Sequence, residues 1–283
     1  MSGVLRLVFT DLDGSLLDHD SYSYSEALPQ LRALQRLDIP VIPATSKTAA
    51  EIAALRGELG NAHPFIAENG AAVYIPMGYF DKAPAEVTAQ KDYWVYELSQ
   101  RRERWLAVLN DLRIDFEGDF DHFHNAGVDG ISRMTGLSRE AAALANAREY
   151  SEPVKWCGSE QRRDQFIDAL KANGANVLQG GRFLSVSGDC DKGRALRWLR
   201  EIFLAHSKYD MCDDLAVGDS GNDIAMLEAA GTALLVRSPA HAFPTLNRVD
   251  KVIHSHHYGP AGWAEGVEVW LSSPRAPQKR SGI

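Results

Sequence analysis

The chain has 283 residues, 45% of them hydrophobic, and a formal charge of −8. That is apolar material for one large or two medium domains, and it excludes global disorder. The acidic balance argues against nucleic-acid and anionic-membrane partners, which need a basic face, but leaves room for a small anion held by a few cations in one cleft.

The first element in chain order is the apolar run "LRLVFT", which predicts a strand ending at Asp11 and Asp13. "SEALPQLRALQRL", residues 25–37, carries leucines at helical spacing. "IPVIPAT", residues 39–45, predicts a short strand, although Pro40 and Pro43 are awkward in a central one. In "KTAAEIAALRGELG", Thr48 and Glu51 have capping-box spacing and Gly57 or Gly60 ends the helix. "FIAENGAAVYI" reads as a hairpin turning at Asn69-Gly70. From Pro84 to Gly188 the chain is richer in charge and aromatics, with helices alternating with short strands such as 176–179 and 183–187. The "RRER" run, 101–104, reads as a solvated helix face. The β/α alternation then returns: "GRALRWLREIFLAH" a helix, "DLAVGDSGNDIAMLEAAG" strand, loop and helix, "TALLV" a strand. "HSHHY" reads as a polar surface loop, "GPAGW" as a turn, and the tail "SSPRAPQKRSGI" as frayed. Such alternation implies an α/β fold with a mostly parallel sheet, 1–83 and 189–283, interrupted by an inserted α+β domain, 84–188.

Three cysteines, Cys157, Cys190 and Cys212, form no CxxC and no disulfide framework. Asp11 and Asp13 interrupt the N-terminus too early for a signal peptide, and no apolar run approaches the roughly 20 residues of a membrane helix. A cytoplasmic protein with no membrane partner is expected.

In a parallel sheet, ligands bind beyond the carboxyl ends of the strands. Asp11 and Asp13 follow the first strand, Thr45, Ser46 and Lys47 the second, and Asp219, Asn222 and Asp223 follow "DLAVG"; Lys192 precedes a helix. Neighbouring carboxylates repel, so a positive charge must accompany them. Hard oxygen donors without His or Cys suit Mg²⁺ better than zinc. Thr45 can donate to a phosphoryl oxygen, Lys192 can neutralise it, and Gly14 lets backbone approach closely.

"DLDGS", "ATS", "DKG" and "GDSGND", in that order at these strand ends, resemble the haloacid dehalogenase-type (HAD) phosphatase superfamily, with a Rossmann-like parallel-sheet core and an insertion resembling its type IIB cap. "MTGLSREAAALANAREYSEP", "GGRFLSVSGDCDKG" and "GPAGW" are similar to the narrower mannosyl-3-phosphoglycerate phosphatase family. The resemblance implies that Asp11 is the nucleophile, that Asp13 is the general acid and base and lends its backbone carbonyl to Mg²⁺, and that Asp219 completes the protein ligands. Asp223 would hold a metal water or orient Lys192, while Thr45 and Lys192 hold the phosphoryl group. The substrate would be a phosphorylated sugar-glycerate and the product mannosylglycerate, a compatible solute. Arg182, after Gly180-Gly181, is the expected partner of its carboxylate, with Ser46, Lys47, Gln179, Asn222 and Arg133 as further contacts. A glucosyl substrate, broader sugar phosphates, and a phosphomannomutase-like transfer remain alternatives.

Overall fold

The computed structural model describes residues 3–180 and 182–273 and the backbone of Gln278–Lys279. The chain runs β1 (Leu5–Thr10), α1 (Leu28–Arg36), β2 (Val41–Pro43), α2 (Ala49–Leu59), β3 (Phe65–Ala67), β4 (Ala72–Pro76), β5 (Thr88–Gln90) and β6 (Tyr93–Glu97). It continues with α3 (Arg102–Leu112), β7 (Phe120–His122), α4 (Phe123–Thr135), α5 (Arg139–Asn146), β8 (Glu152–Trp156), α6 (Glu160–Ala172), β9 (Asn176–Gln179) and β10 (Leu184–Ser187). The last part is α7 (Lys192–Ala205), β11 (Met211–Gly218), α8 (Ile224–Ala229), β12 (Thr232–Arg237), β13 (Val252–Tyr258), α9 (Gly259–Ser272) and β14 (Gln278–Lys279).

The main sheet has the order β13-β12-β11-β1-β2, all parallel, with β14 antiparallel on β11. Because β1 is central and covered on both faces, its sequence is a continuous apolar run rather than an alternation. Leu7 and Phe9 face α7 and α8, packing with Leu196, Leu199, Phe203 and Leu227. Val8 faces the other way, towards Leu34 of α1 and Trp263, Val267 and Trp270 of α9. Pro43 is tolerated because β2 ends this sheet: its missing N–H faces no ladder partner, and beyond it the chain is linked outward by an isolated bridge, Ala44 to Ile66.

A second, antiparallel sheet has the order β3-β4-β6-β5. β5 and β6 fall within the expected 84–188 insertion, yet β6 pairs along its whole length with β4 of the preceding hairpin. A third sheet, β7-β8-β10-β9, is also antiparallel. Val154, Leu184 and Val186 on one face of it pack under Trp105 and Leu109 of α3 and Phe166 and Leu170 of α6. Register places Asp121, Pro153, Lys155, Ser185, Leu178 and Asn176 on the opposite face. That face looks towards the parallel sheet, since Asn176 Nδ2 donates to the Cys190 carbonyl at 3.2 Å, two residues before Lys192.

Three expectations are corrected. "HSHHY" is not a loop but most of β13, an edge strand paired with β12, whose exposed His256 and His257 both reach Glu265. "GPAGW" is not a turn but the first turn of α9, with Pro at a position that needs no donor. The "RRER" run is only partly solvated, because Arg102 is buried against Glu152 at 2.5 Å. Most of the tail expected to fray, and Gly181, lie outside the described residues.

Candidate active site

Asp11 leaves the end of β1, and its N–H donates to the Val217 carbonyl of β11 at 2.8 Å, so the sheet register fixes its backbone. Lys192 opens α7 behind an Asp191 cap, whose Oδ1 accepts from the Arg194 N–H at 2.8 Å. Its side chain is wholly buried, and Nζ donates to Asp11 Oδ1 and Asp223 Oδ1, both at 2.7 Å. Asp223 divides its oxygens: Oδ1 serves Lys192, while Oδ2 accepts from the N–H groups of Asp219 and Ser220 at 3.2 and 3.1 Å. The capping box of "SGND" and the charge cluster are therefore the same carboxylate.

Carboxylate oxygens of Asp11, Asp219 and Asp223 all lie within 4.8 Å of one another, and all three residues are buried. Burial and the charge of Asp223 push Asp11 well above the usual carboxylate range, only partly offset by Lys192. The same two causes push Asp219 up to about 6. Burial pulls Lys192 down, but Asp11 and Asp223 outweigh it and leave the ammonium above its ordinary range. Three carboxylates against one ammonium leave an excess of negative charge. The Asp13 Oδ1 and Ser15 Oγ atoms beside them are buried without a hydrogen-bond partner. A donor set of hard oxygens with unmet polar atoms fits a divalent cation such as Mg²⁺. Gly14, at φ 82°, allows the close approach: a Cβ there would stand 2.7 Å from Asp219 Oδ2.

The remaining expected residues divide between this cluster and the insertion. Thr45 is buried at the end of β2, and its Oγ1 accepts from the Lys47 N–H at 3.3 Å. Lys47 Nζ pairs with Asp13 Oδ2 at 2.9 Å, bringing the second loop onto the first. The Ser46 carbonyl accepts from Arg148 at 3.2 Å, and Asn222 Nδ2 donates to Asn69 Oδ1 at 3.0 Å. Gln179 and Arg182 instead bond within the insertion, to the carbonyls of Gly180 and Thr135, and both are exposed.

Four residues at this site escape a local reading of the sequence. His241 Nε2 comes within 3.5 Å of Asp219 Oδ2; its loop follows β12, so the rule of ligand loops at strand ends could have found it. Glu68 and Arg148, which border the cluster, carry no signal of their own, and Asn69 signals only a turn, because their partners are far away in sequence.

Two family profiles match the chain, haloacid dehalogenase-like hydrolase over residues 8–111 and sucrose-6F-phosphate phosphohydrolase over residues 152–271. A glucosyl-3-phosphoglycerate/mannosyl-3-phosphoglycerate phosphatase of Methanococcoides burtonii is 37% identical, covering 93% of this chain and 96% of its own. The chain belongs to the haloacid dehalogenase-like hydrolases. A second protein of the same description, from Persephonella marina, is 30% identical over 92% of this chain and 95% of its own. A solved sugar phosphatase of HAD subclass IIB superimposes with a TM-score of 0.62 at 15% identity, over 94% of this chain and 99% of that one, which supports the fold. This HAD-like protein is a phosphoric monoester hydrolase, and among its described residues no helix is long and apolar enough to cross a membrane.

Proposed function

We infer that the chain is a Mg²⁺-dependent phosphatase of glycosyl-3-phosphoglycerates, with the mannosyl compound as its substrate, acting in the cytoplasm. The observation that carries the reading is the buried Asp11–Lys192–Asp223 bridge, with the Asp219 carboxylate beside it. The names of the two curated relatives, which give both glucosyl- and mannosyl-3-phosphoglycerate, favour the glycosyl-3-phosphoglycerate class, and the choice of the mannosyl compound rests on the sequence resemblance.

The free carboxylate oxygen of Asp11 attacks phosphorus, the bond from phosphorus to the glycerate oxygen breaks, and an aspartyl phosphate forms. Asp13 gives its proton to the departing oxygen and then takes one from water as that water attacks phosphorus, releasing phosphate and restoring Asp11. The unpartnered Oδ1 of Asp13 suits that shuttle, and the Lys47 ion pair on Oδ2 holds the side chain in place. Thr45 and Lys192 hold the phosphoryl oxygens, as this chemistry depends on positioning and charge neutralisation. Asp11, Asp219, Asp223 and the Asp13 carbonyl would hold Mg²⁺, which when bound supplies positive charge to the phosphoryl group.

The cap in this reading lies within the 84–188 insertion, and the pairing of β6 with β4 supports counting β5 and β6 with the preceding hairpin. Between α4 and the core-facing side of the cap sheet is a cavity of about 260 Å³, lined by Asp121, Ala126, Gly130, Arg133, Met134 and Lys155. Two cations and one carboxylate suit a leaving group carrying a carboxylate and sugar hydroxyls. Arg182, expected to hold that carboxylate, bonds instead to the end of α4.

The test is a phosphate-release screen with Mg²⁺ across mannosyl- and glucosyl-3-phosphoglycerate and common hexose phosphates. Rapid release from the mannosyl compound is expected. Preference for simple hexose phosphates refutes the substrate, and transfer without free phosphate refutes hydrolysis. Asp11→Asn should abolish turnover with the fold retained; retained activity refutes the nucleophile.

A further inference from the structure

The turn between β3 and β4 joins more of the molecule than a hairpin requires. Three successive residues, Glu68, Asn69 and Gly70, have φ of 49°, 60° and 93°. The left-handed region is unfavourable for a glutamate, so surrounding contacts must hold it there.

Each residue of the turn faces a different partner. The Asn69 N–H donates to the Thr45 carbonyl at 2.9 Å, and its Oδ1 accepts from Asn222. Gly70 lies so close to the start of α7 that a Cβ would stand 2.2 Å from the Asp191 carbonyl carbon and 2.6 Å from the Lys192 nitrogen. Glu68 donates its N–H to the Lys47 carbonyl at 3.0 Å. Its side chain is 1% exposed and turns the other way, towards the strap that leads from α5 into β8. There Oε1 accepts from the Glu149 N–H at 2.8 Å, and Oε2 accepts from the N–H groups of Tyr150 and Ser151 at 3.2 and 2.8 Å and from Ser151 Oγ at 2.6 Å.

One buried carboxylate thus binds three consecutive backbone N–H groups, a concave arrangement suited to an anion. The strap and the α5 helix before it each have a further tie to the loop after β2. Arg148 donates to the Ser46 carbonyl, and Thr48 Oγ1 donates to the Leu144 carbonyl at 2.9 Å. Beyond the strap, Ser151 runs directly into β8, the strand that carries Lys155 to the cap cavity.

We propose that Glu68 is a positioning residue for the reaction: it registers the cap against the phosphoryl-binding loops by gripping the 149–151 strap. Glu68 touches neither Asp11 nor Lys192, so it acts through the strap. This rests on the reading that the insertion lies over a phosphoryl-transfer site, but not on which sugar the cap accepts.

The test compares wild type with Glu68→Gln, which keeps the shape but turns an NH₂ towards backbone donors. Two substrates are used, mannosyl-3-phosphoglycerate to fill the cap and p-nitrophenyl phosphate, too small to need it. A displacement of about 1 Å can cost on the order of 10²-fold, so a drop of that size in kcat/KM is expected for the large substrate. For the small one the change should stay within about threefold, because the strained turn keeps its backbone ties to Thr45 and Lys47. Hydrogen exchange of the 149–151 amides should quicken at least tenfold in the variant. Equal losses on both substrates, or unchanged exchange, overturns the proposal. If Glu68→Gln does not fold, Ser151→Ala, which removes one of the four bonds, should show the same selectivity at smaller amplitude, and its absence overturns the proposal equally. Should wild type ignore the mannosyl compound, the substrate reading fails alone, and the comparison is made with the best sugar phosphate from the screen.

Discussion

Replacing Lys192 with Met keeps the length of the side chain and removes its charge. The ammonium lies 2.7 Å from both Asp11 and Asp223 with no exposure to solvent, so the substitution leaves two carboxylates facing each other in a buried site. Breaking a buried pair by deleting one partner costs about 3–5 kcal/mol. The variant can reduce that cost by holding a proton, because an unpaired buried carboxylate neutralises rather than stays charged. Asp11 is already raised above its reference value of 3.8 and rises further without the lysine. Between 3.8 and the raised folded value the native variant holds a proton that the unfolded chain has released. Its stability therefore falls with rising pH through that window, by about 1.4 kcal/mol per pH unit. Thermal melts in chelator should show a deficit against wild type of roughly 6–20 °C at pH 8, from about 2–4 °C per kcal/mol, and a much smaller one at pH 5. Added Mg²⁺ should narrow the gap at pH 8 by supplying the missing charge. The turnover number should fall by about 10²–10³, the usual loss for one charge-stabilising donor. Equal deficits at pH 5 and pH 8 would refute the reasoning, since a packing defect does not titrate.

Glu152→Ala should lower stability by about 3–5 kcal/mol at pH 7 by stranding the buried Arg102, measured by denaturant melts. Burial pushes the Glu152 carboxyl up, but bonds from His122, Arg102 and the His124 N–H outweigh it and hold the group below 4.5. The advantage of wild type over the variant should thus be complete above pH 4.5 and shrink as pH falls through the lower folded value. A constant difference across that range would contradict the network. Gly193→Ala would place a Cβ 2.1 Å from the Ala225 carbonyl oxygen. Separating α7 from α8 displaces Lys192 next door, so kcat should drop by about 10²-fold, and steady-state kinetics near the wild-type value would refute it.

The elements nearest the chemistry were the most legible, because each carries its signal locally. The apolar run of β1 stops at Asp11, Thr48 and Glu51 close the capping box of α2, and Asn69-Gly70 turns the hairpin. The four motif loops converge because a parallel sheet aligns its strand ends. What escaped depended on distant partners. Arg102 reads as solvated until Glu152, fifty residues on, is placed beside it, and Glu68 is unremarkable without residues 149–151. Gly262 suggests a turn, yet it is glycine for proximity, as is Gly266 in the same helix: a Cβ would meet the His257 carbonyl and the Leu234 side chain at 2.2 Å each. Histidines on an edge strand look like a loop because one side of that strand needs no apolar residue. The pairing of β6 with β4 was not legible, because no change in composition marks it.

The central position of β1 has a consequence for how the protein is made. Its neighbour on one flank, β2, emerges within 40 residues, but β11 begins at Met211. At roughly 5–20 residues per second, a ribosome leaves that flank of the nascent strand open for about 10–40 s. For most of that interval Asp11 lacks Lys192 and for all of it Asp223, and a bare apolar edge is available to other chains. β1 is thus completed only when β11, about 200 residues later, has been made, and until then the intermediate carries an aggregation-prone edge.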